Sequence, residues 1–282
     1  PTYAKGVKIT LDKDDSWQKD SSGAWPESDD EIPSDYEKAY ITGVTNNYKK
    51  ASINVIKADQ YSADKKAHGD ASLEGAQFQL YADMSCTTKA TVYNVNGAKM
   101  TAGVYTIQNG KVTTDYLRSG VTYYLKEIKA PVGYNLSTEV IPIVADASEK
   151  TVEYTKEISD EKYGNNPILG KVAIQKYYSD GETGLLEPEA NTTFQVYLKS
   201  KGSYEACTDY ERAIIKTDSN GYAVTGNLYY GTYVVHQVDS GDVDAIHVDD
   251  FDVEVTENGK VYTYPLNNKL FKAYLKILKK DK

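Results

Sequence analysis

The sequence predicts an all-β chain built from tandem β-sandwich domains, immunoglobulin-like or prealbumin-like, of Greek-key type. Three observations predict it. Short runs alternate apolar and polar residues, and no helical apolar period is sustained over three turns. Turn signals punctuate the runs at Asn109-Gly110, Val132-Gly133, Asp180-Gly181, Ser219-Asn220-Gly221 and Asn258-Gly259. Four blocks of sequence then recur in the same order in two parts of the chain. Composition agrees, because 26 Tyr against 4 Phe and 2 Trp suit half-buried strands, where the ring packs and the hydroxyl meets water.

The first block is Ile53-Asn54-Val55-Ile56-Lys57 in one copy and Val172-Ala173-Ile174-Gln175-Lys176 in the other. In each, two β-branched residues alternate onto the face that carries the lysine. Next come Gly75-Ala76-Gln77-Phe78-Gln79-Leu80-Tyr81 and Thr192-Thr193-Phe194-Gln195-Val196-Tyr197. Asn109-Gly110-Lys111-Val112 and Asn220-Gly221-Tyr222-Ala223 follow, and lead to Gly120-Val121-Thr122-Tyr123-Tyr124-Leu125-Lys126-Glu127 and Gly231-Thr232-Tyr233-Val234-Val235-His236-Gln237. The blocks define sandwiches over 47–165 and 166–270. Residues 271–282 contain Leu275-Lys276-Ile277-Leu278-Lys279, a further opening strand, and are expected to begin a following domain. Residues 1–46, with one strand at Val7-Lys8-Ile9-Thr10-Leu11 and a polar loop over 12–38, are expected to close a preceding β domain. A helical turn or two is expected within 204–215, around Tyr204-Glu205-Ala206-Cys207.

Several function classes are excluded. A net charge of −9 and a pI near 5.0 leave no electrostatic footprint for nucleic acid. Cys86 and Cys207 fall in different repeats and lack metal or redox spacing, so neither a disulfide nor a zinc site is expected. His247-Val248-Asp249-Asp250 reads as a solvated acidic loop, and Asp12-x-Asp14-x-Ser16 lacks the glycine and distal glutamate of a calcium loop. Without a phosphate loop or a Gly-x-Ser-x-Gly elbow, no turnover enzyme, metal or cofactor is expected. No apolar run approaches the ~18 residues needed to span a bilayer, so no membrane insertion is expected in this segment.

The chemistry lies in the lysines. Burying an unpaired ammonium is costly, so an apolar-flanked lysine ordinarily snorkels to the rim or pairs with an acid. Here the lysines have specific company. Glu127 shares a strand face with Tyr123 and Leu125; Ile158 and Asp160 share one on the closing strand, as do Leu266 and Asn268 in the second copy. In an apolar pocket the neutral forms of an amine and a carboxylic acid are favoured. The amine can then attack a side-chain carbonyl while the acid polarises that carbonyl and shuttles the proton. Water leaves if the acceptor is Asp, and ammonia if it is Asn. The result is one intramolecular amide per domain, without turnover.

Phe78-Gln79-Leu80-Tyr81-Ala82-Asp83, followed by Tyr124-Leu125-Lys126-Glu127-Ile128-Lys129-Ala130-Pro131-Val132-Gly133-Tyr134, resembles the prealbumin-like (Cna B-type) domains of Gram-positive surface adhesins and pilins. Its Glu-x-x-Ala-Pro-x-Gly-Tyr block is fairly specific, and Tyr230–Gln237 looks like a divergent relative. The resemblance covers about 50–282. It implies Lys57 as nucleophile, Glu127 as the isopeptide-promoting acid and Asp160 as acceptor, with Lys176 and Asn268 as the second pair. It further implies a stalk or pilin-shaft segment that is extracellular, anchored to the cell wall through other regions, and partnered by neighbouring domains of the same surface protein. The alternative is a module that contacts host protein or glycan, which a cluster of Trp17, Trp25, Tyr229 and Tyr230 would favour. Two points stay open. Asn46 precedes Lys57 by 11 residues and Asn268 precedes Lys279 by 11, and the same offset from Lys176 selects Asn165 over Asp160, whereas strand alternation favours Asp160. Gln237 stands where the second glutamate belongs and cannot relay a proton, so that bond needs another carboxylate, with Glu189 and Asp252 as candidates.

Overall fold

The computed structural model describes residues 50–59, 61–146, 153–159, 165–179, 185–241, 245–270 and 276. The chain divides into compact units Pro1–Asn47 and Tyr48–Lys282. The expectations for 1–46, the strand at Leu275–Lys279 apart from Lys276, the Asp180-Gly181 turn, Trp17, Trp25 and Asp160 lie outside the described residues. Among the described residues, no helix is long and apolar enough to cross a membrane.

Among the described residues the regular structure is β, with a 3-10 turn at Lys199–Lys201. In the first sandwich, Lys50–Ile56 is the centre of one sheet, with Ala51, Ile53 and Val55 turned into the core. Glu153–Ser159 lies beside it in parallel, and Lys111–Thr113 and Leu117–Arg118 pair with its other edge. The facing sheet runs in the order Val104–Thr106, Gln77–Tyr81, Thr122–Lys129, Val140–Val144. Phe78, Leu80, Tyr123, Leu125, Ile141 and Ile143 fill the space between the sheets, each large aliphatic or aromatic side chain contributing about 1.5–3 kcal/mol by burial.

The second sandwich repeats this plan. Leu169–Ser179 is central, with Val261–Leu270 parallel on one side and Leu186–Pro188, Tyr222–Val224 and Leu228–Tyr229 antiparallel on the other. Its facing sheet runs Arg212–Lys216, Thr193–Leu198, Gly231–Gln237, Phe251–Val255. The register also matches: Phe78 sits opposite Glu127, and Phe194 opposite Gln237. Along the closing strand Tyr262, Tyr264, Leu266 and Asn268 turn inward while their neighbours are exposed. In both sandwiches the first and last strands are parallel neighbours, which no hairpin can join, so the whole domain is the crossover between them.

The turn signals take their expected geometry. Asn109 and Gly110 have φ of 53° and 77°, both positive as a type I′ hairpin requires. One expectation holds only in part. Over 204–207 a single turn forms, in which Cys207 N–H donates to the Tyr204 carbonyl at 3.3 Å, and the chain then enters the strand Arg212–Lys216 instead of continuing as a helix. Gly202, at φ 82°, ends the short 3-10 turn in the left-handed region, and Ile215 is drawn into register opposite Phe194. Strand pairing outweighs the local preference.

Gly221 has φ +71°, and a Cβ there would lie 2.2 Å from the carbonyl oxygen of Lys176; at Gly110 (φ +77°) the same Cβ would meet open space. Gly110→Ala is therefore expected to cost about 1–2 kcal/mol from backbone strain alone. Gly221→Ala should cost distinctly more by chemical unfolding. Equal costs would contradict the close approach at Gly221.

Candidate cross-linking sites

Lys57 follows directly on the opening strand. Its backbone N–H donates to the carbonyl of Gly110 at 3.0 Å, as Lys176 N–H does to Gly221 at 2.7 Å, so the two lysines occupy equivalent places beside equivalent turns. Both are buried, at 5% and 0% exposure.

Around Lys57 the structure gathers Glu127 and Asn165. Tyr123, Leu125 and Glu127 alternate inward along their strand, which leaves Glu127 3% exposed. Lys57 Nζ donates to Asn165 Oδ1, and Asn165 Nδ2 donates to Glu127 Oε2. Lys57 Nζ lies 3.6 Å from the other oxygen, Glu127 Oε1. Ser137 N–H donates to Glu127 Oε2 at 2.9 Å and fixes the carboxyl from behind. The cavity left among these groups is about 10 Å³, at the threshold for a single water.

Asn165 is placed by the loop after the Glu127 strand. Asn135 N–H donates to the Asn166 carbonyl at 2.9 Å, Ile168 N–H donates to the Gly133 carbonyl at 2.9 Å, and the Asn135 carbonyl accepts from Asn165 Nδ2. The Gly-Tyr pair of that loop has its own reasons. Gly133 has φ +87°, and a Cβ there would sit 2.4 Å from that of Ala71. The Tyr134 hydroxyl donates to the fully buried Asp59 at 2.5 Å, and burial followed by that bond pushes its phenol well above the ordinary tyrosine range.

In the second sandwich Gln237 occupies the place of Glu127 and is buried, but its amide is used elsewhere. Its Nε2 donates to the Asp239 carbonyl and its Oε1 accepts from Val248 N–H. The carboxylate beside Lys176 is Glu189, which comes from the connection after Leu186–Pro188. Glu189 Oε2 is 3.1 Å from Lys176 Nζ, and Glu189 Oε1 accepts from Asn268 Nδ2 at 3.1 Å. Burial pushes the Lys176 ammonium below the ordinary lysine range, against the opposing pull of Glu189. Asn268 Oδ1 is buried without a hydrogen bond among the described residues. Asp252 is remote in role, pairing with Lys199 on the surface.

Both sites thus share one division of labour: one carboxylate oxygen faces the amine and the other faces the amide nitrogen. Alternation along the strand gave the direction of Glu127. It could not give Asn165, which lies past the end of its strand, or choose Glu189, which lies on none. The offset of 11 residues to the next lysine was the available signal for Asn165.

Two sandwiches closed by parallel first and last strands, each ending at a buried lysine, acid and carboxamide, define a prealbumin-like module. Residues 51–161, the span of the first sandwich, match the family model of SpaA, a prealbumin-like fold domain. No curated protein matches the chain. Among solved structures, the Bacillus anthracis TIE protein is 23% identical with a TM-score of 0.51, over 79% of this chain and 34% of its own, so the chain spans about a third of that protein. That likeness is one of fold. GBS52, the minor pilin of Streptococcus agalactiae, is 18% identical over 81% of this chain and 100% of its own, with a TM-score of 0.34. The shaft pilin SpaA of Lactobacillus rhamnosus GG is 13% identical over 79% and 100%, with a TM-score of 0.29. These two superpose too loosely to bear on the argument.

Removing one partner of a buried ion pair strands the other charge. Glu189→Ala is therefore expected to destabilise the second sandwich by about 3–5 kcal/mol. Asp252→Ala, which breaks an exposed pair, should cost under about 1 kcal/mol in the same unfolding assay. Similar costs would count against Glu189 as the partner of Lys176.

Proposed function

We propose that the chain is a stalk or pilin-shaft segment of a Gram-positive surface protein, with each sandwich locked by an intramolecular amide. Lys57 joins Asn165 with Glu127 as the acid, and Lys176 joins Asn268 with Glu189. The observation that carries this reading is the shared geometry of the carboxylates. In each site the carboxylate takes a proton from the lysine and leaves a neutral amine to attack the amide carbon. It then delivers that proton to the departing nitrogen and accepts the second proton of the amine. One N–C bond forms, one breaks, and ammonia leaves. Confinement in a dry pocket supplies the effective molarity that lets an amide exchange proceed without an external enzyme.

The topology supports a mechanical role. Lys50–Ile56 and Glu153–Ser159 run parallel, Lys50 opposite Glu153 and Ile56 opposite Ser159. Tension that enters the opening strand at Lys50 and leaves beyond the closing strand crosses from Lys57 to Asn165 through a covalent bond. The residues between them carry no load. Lys57 and Asn165 are 108 residues apart, and by analogy with disulfides closing such a loop stabilises the fold by up to about 4–5 kcal/mol through the unfolded state. Neither Cys86 nor Cys207 is in a disulfide, and an amide, unlike a disulfide, is indifferent to reductant.

Intact-mass measurement tests the proposal. Two Lys–Asn bonds lower the mass by about 34 Da, and Glu127→Ala and Glu189→Ala should each restore about 17 Da, one ammonia per acyl transfer. Gln237→Ala should restore nothing. An unmodified mass for the folded wild-type chain would overturn the proposal.

A further inference from the structure

Where the two sandwiches meet, the described residues line an open cleft of about 750 Å³, the size of a small-ligand site. Among the described residues its walls are three tyrosines and four asparagines with Pro167 and Leu169, and none of these carries a charge. That is unusual on a chain of net charge −9 in which 26% of residues are charged. Both sandwiches contribute, Tyr61 from the first and Tyr210, Asn227, Tyr229 and Asn258 from the second. The cleft therefore exists only where they are joined.

The aromatic wall is held in advance of any ligand. Tyr210 sits at φ 63°, in the left-handed region, which is uncommon for a bulky residue and worth explaining at an exposed position. Its carbonyl accepts from Tyr229 N–H at 2.9 Å and from the hydroxyl of the buried Tyr233 at 3.2 Å. The Tyr229 ring stacks on His68 at 4.3 Å and meets the Tyr210 ring at 5.3 Å. The junction itself is fixed from both sides, as Asp70 N–H donates to the Tyr230 carbonyl and Asp70 Oδ2 accepts from Thr232 N–H. The amides retain bonding capacity. Asn258 spends its oxygen on Leu169 N–H and Asn166 spends its oxygen on the Tyr61 hydroxyl, leaving both NH₂ groups as donors.

We propose that this cleft binds a neutral saccharide, with the Tyr210 and Tyr229 rings covering the apolar face of one sugar ring and the amides of Asn227 and Asn258 pairing with its hydroxyls. Tyrosine offers an apolar face with a polar rim, and a carboxamide offers donor and acceptor together, which is the chemistry a polyol without charge presents in mirror image. The site lies beyond the stalk reading and stands whether or not the amide bonds form.

Saturation-transfer NMR on the whole chain tests it, with lactose, cellobiose and N,N′-diacetylchitobiose as neutral probes and sialyllactose as the charged control. Transfer to the ring protons of at least one neutral probe is expected, and Tyr210→Ala and Asn227→Ala should each weaken its binding by about tenfold or more, a 1.4 kcal/mol loss. Tyr222→Ala, an exposed tyrosine outside the cleft, should leave it unchanged. Both cleft side chains are exposed, so an unchanged unfolding midpoint is expected alongside the loss. No transfer to any neutral probe, equal binding by the wild type and both cleft variants, or preference for sialyllactose would each overturn the proposal.

Discussion

A lysine amine enclosed where water barely enters is the constraint around which each sandwich is organised. An ammonium without a partner in such a place costs several kcal/mol, so whatever surrounds it must answer its charge. Glu127 and Glu189 do so from different parts of the fold, one from a core strand and the other from a connecting segment. A carboxamide from the far end of the domain completes each group. Neither carboxyl is held by charge alone: Ser137 N–H anchors Glu127, and Asn268 Nδ2 reaches Glu189. The parallel pairing of first and last strands is what brings the three groups together, and it brings together residues separated by nearly a whole domain.

The fold was legible because its signals are local. Alternation around Ile53, Val55 and Val172, Ile174 marks the opening strands, and Asn109-Gly110 can form a tight hairpin from its own dihedral freedom. The inward direction of Glu127 follows from Tyr123 and Leu125 by the same rule. The surroundings of Lys57 were harder to read. Counting alternate residues along the closing strand leads to Asp160, but Asn165 stands past the strand, held by the Asn135 carbonyl and by a bridge between Tyr134 and Pro167. Those are contacts between distant segments, which no periodicity records. Glu189 poses the same difficulty, since a residue in a connection has no face to predict. At Tyr204–Cys207 local preference suggested a helical turn or two; a single turn forms, and pairing of the following strand prevails beyond it.

The loop Ala130–Asn135 ties these features together. Its Gly133 admits Ala71, its Tyr134 closes over Asp59, and its Asn135 holds the Asn165 amide. Asp59 also accepts from His68, whose ring stacks on Tyr229 of the second sandwich. One short motif thus touches the buried lysine site on one side and the junction on the other. A glycine and a tyrosine that look like punctuation in the sequence are packing residues for both.

Tryptic peptide mapping of the folded chain is the most direct measurement. Lys162 separates Asp160 from Asn165, so the two acceptors fall in different peptides. The account predicts branched species in which residues 51–65, uncleaved at Lys57, are joined to 163–171, and residues 172–199 are joined to 261–269. Cleavage after Lys57 and Lys176 as at any free lysine, with all four segments recovered unbranched, would contradict it.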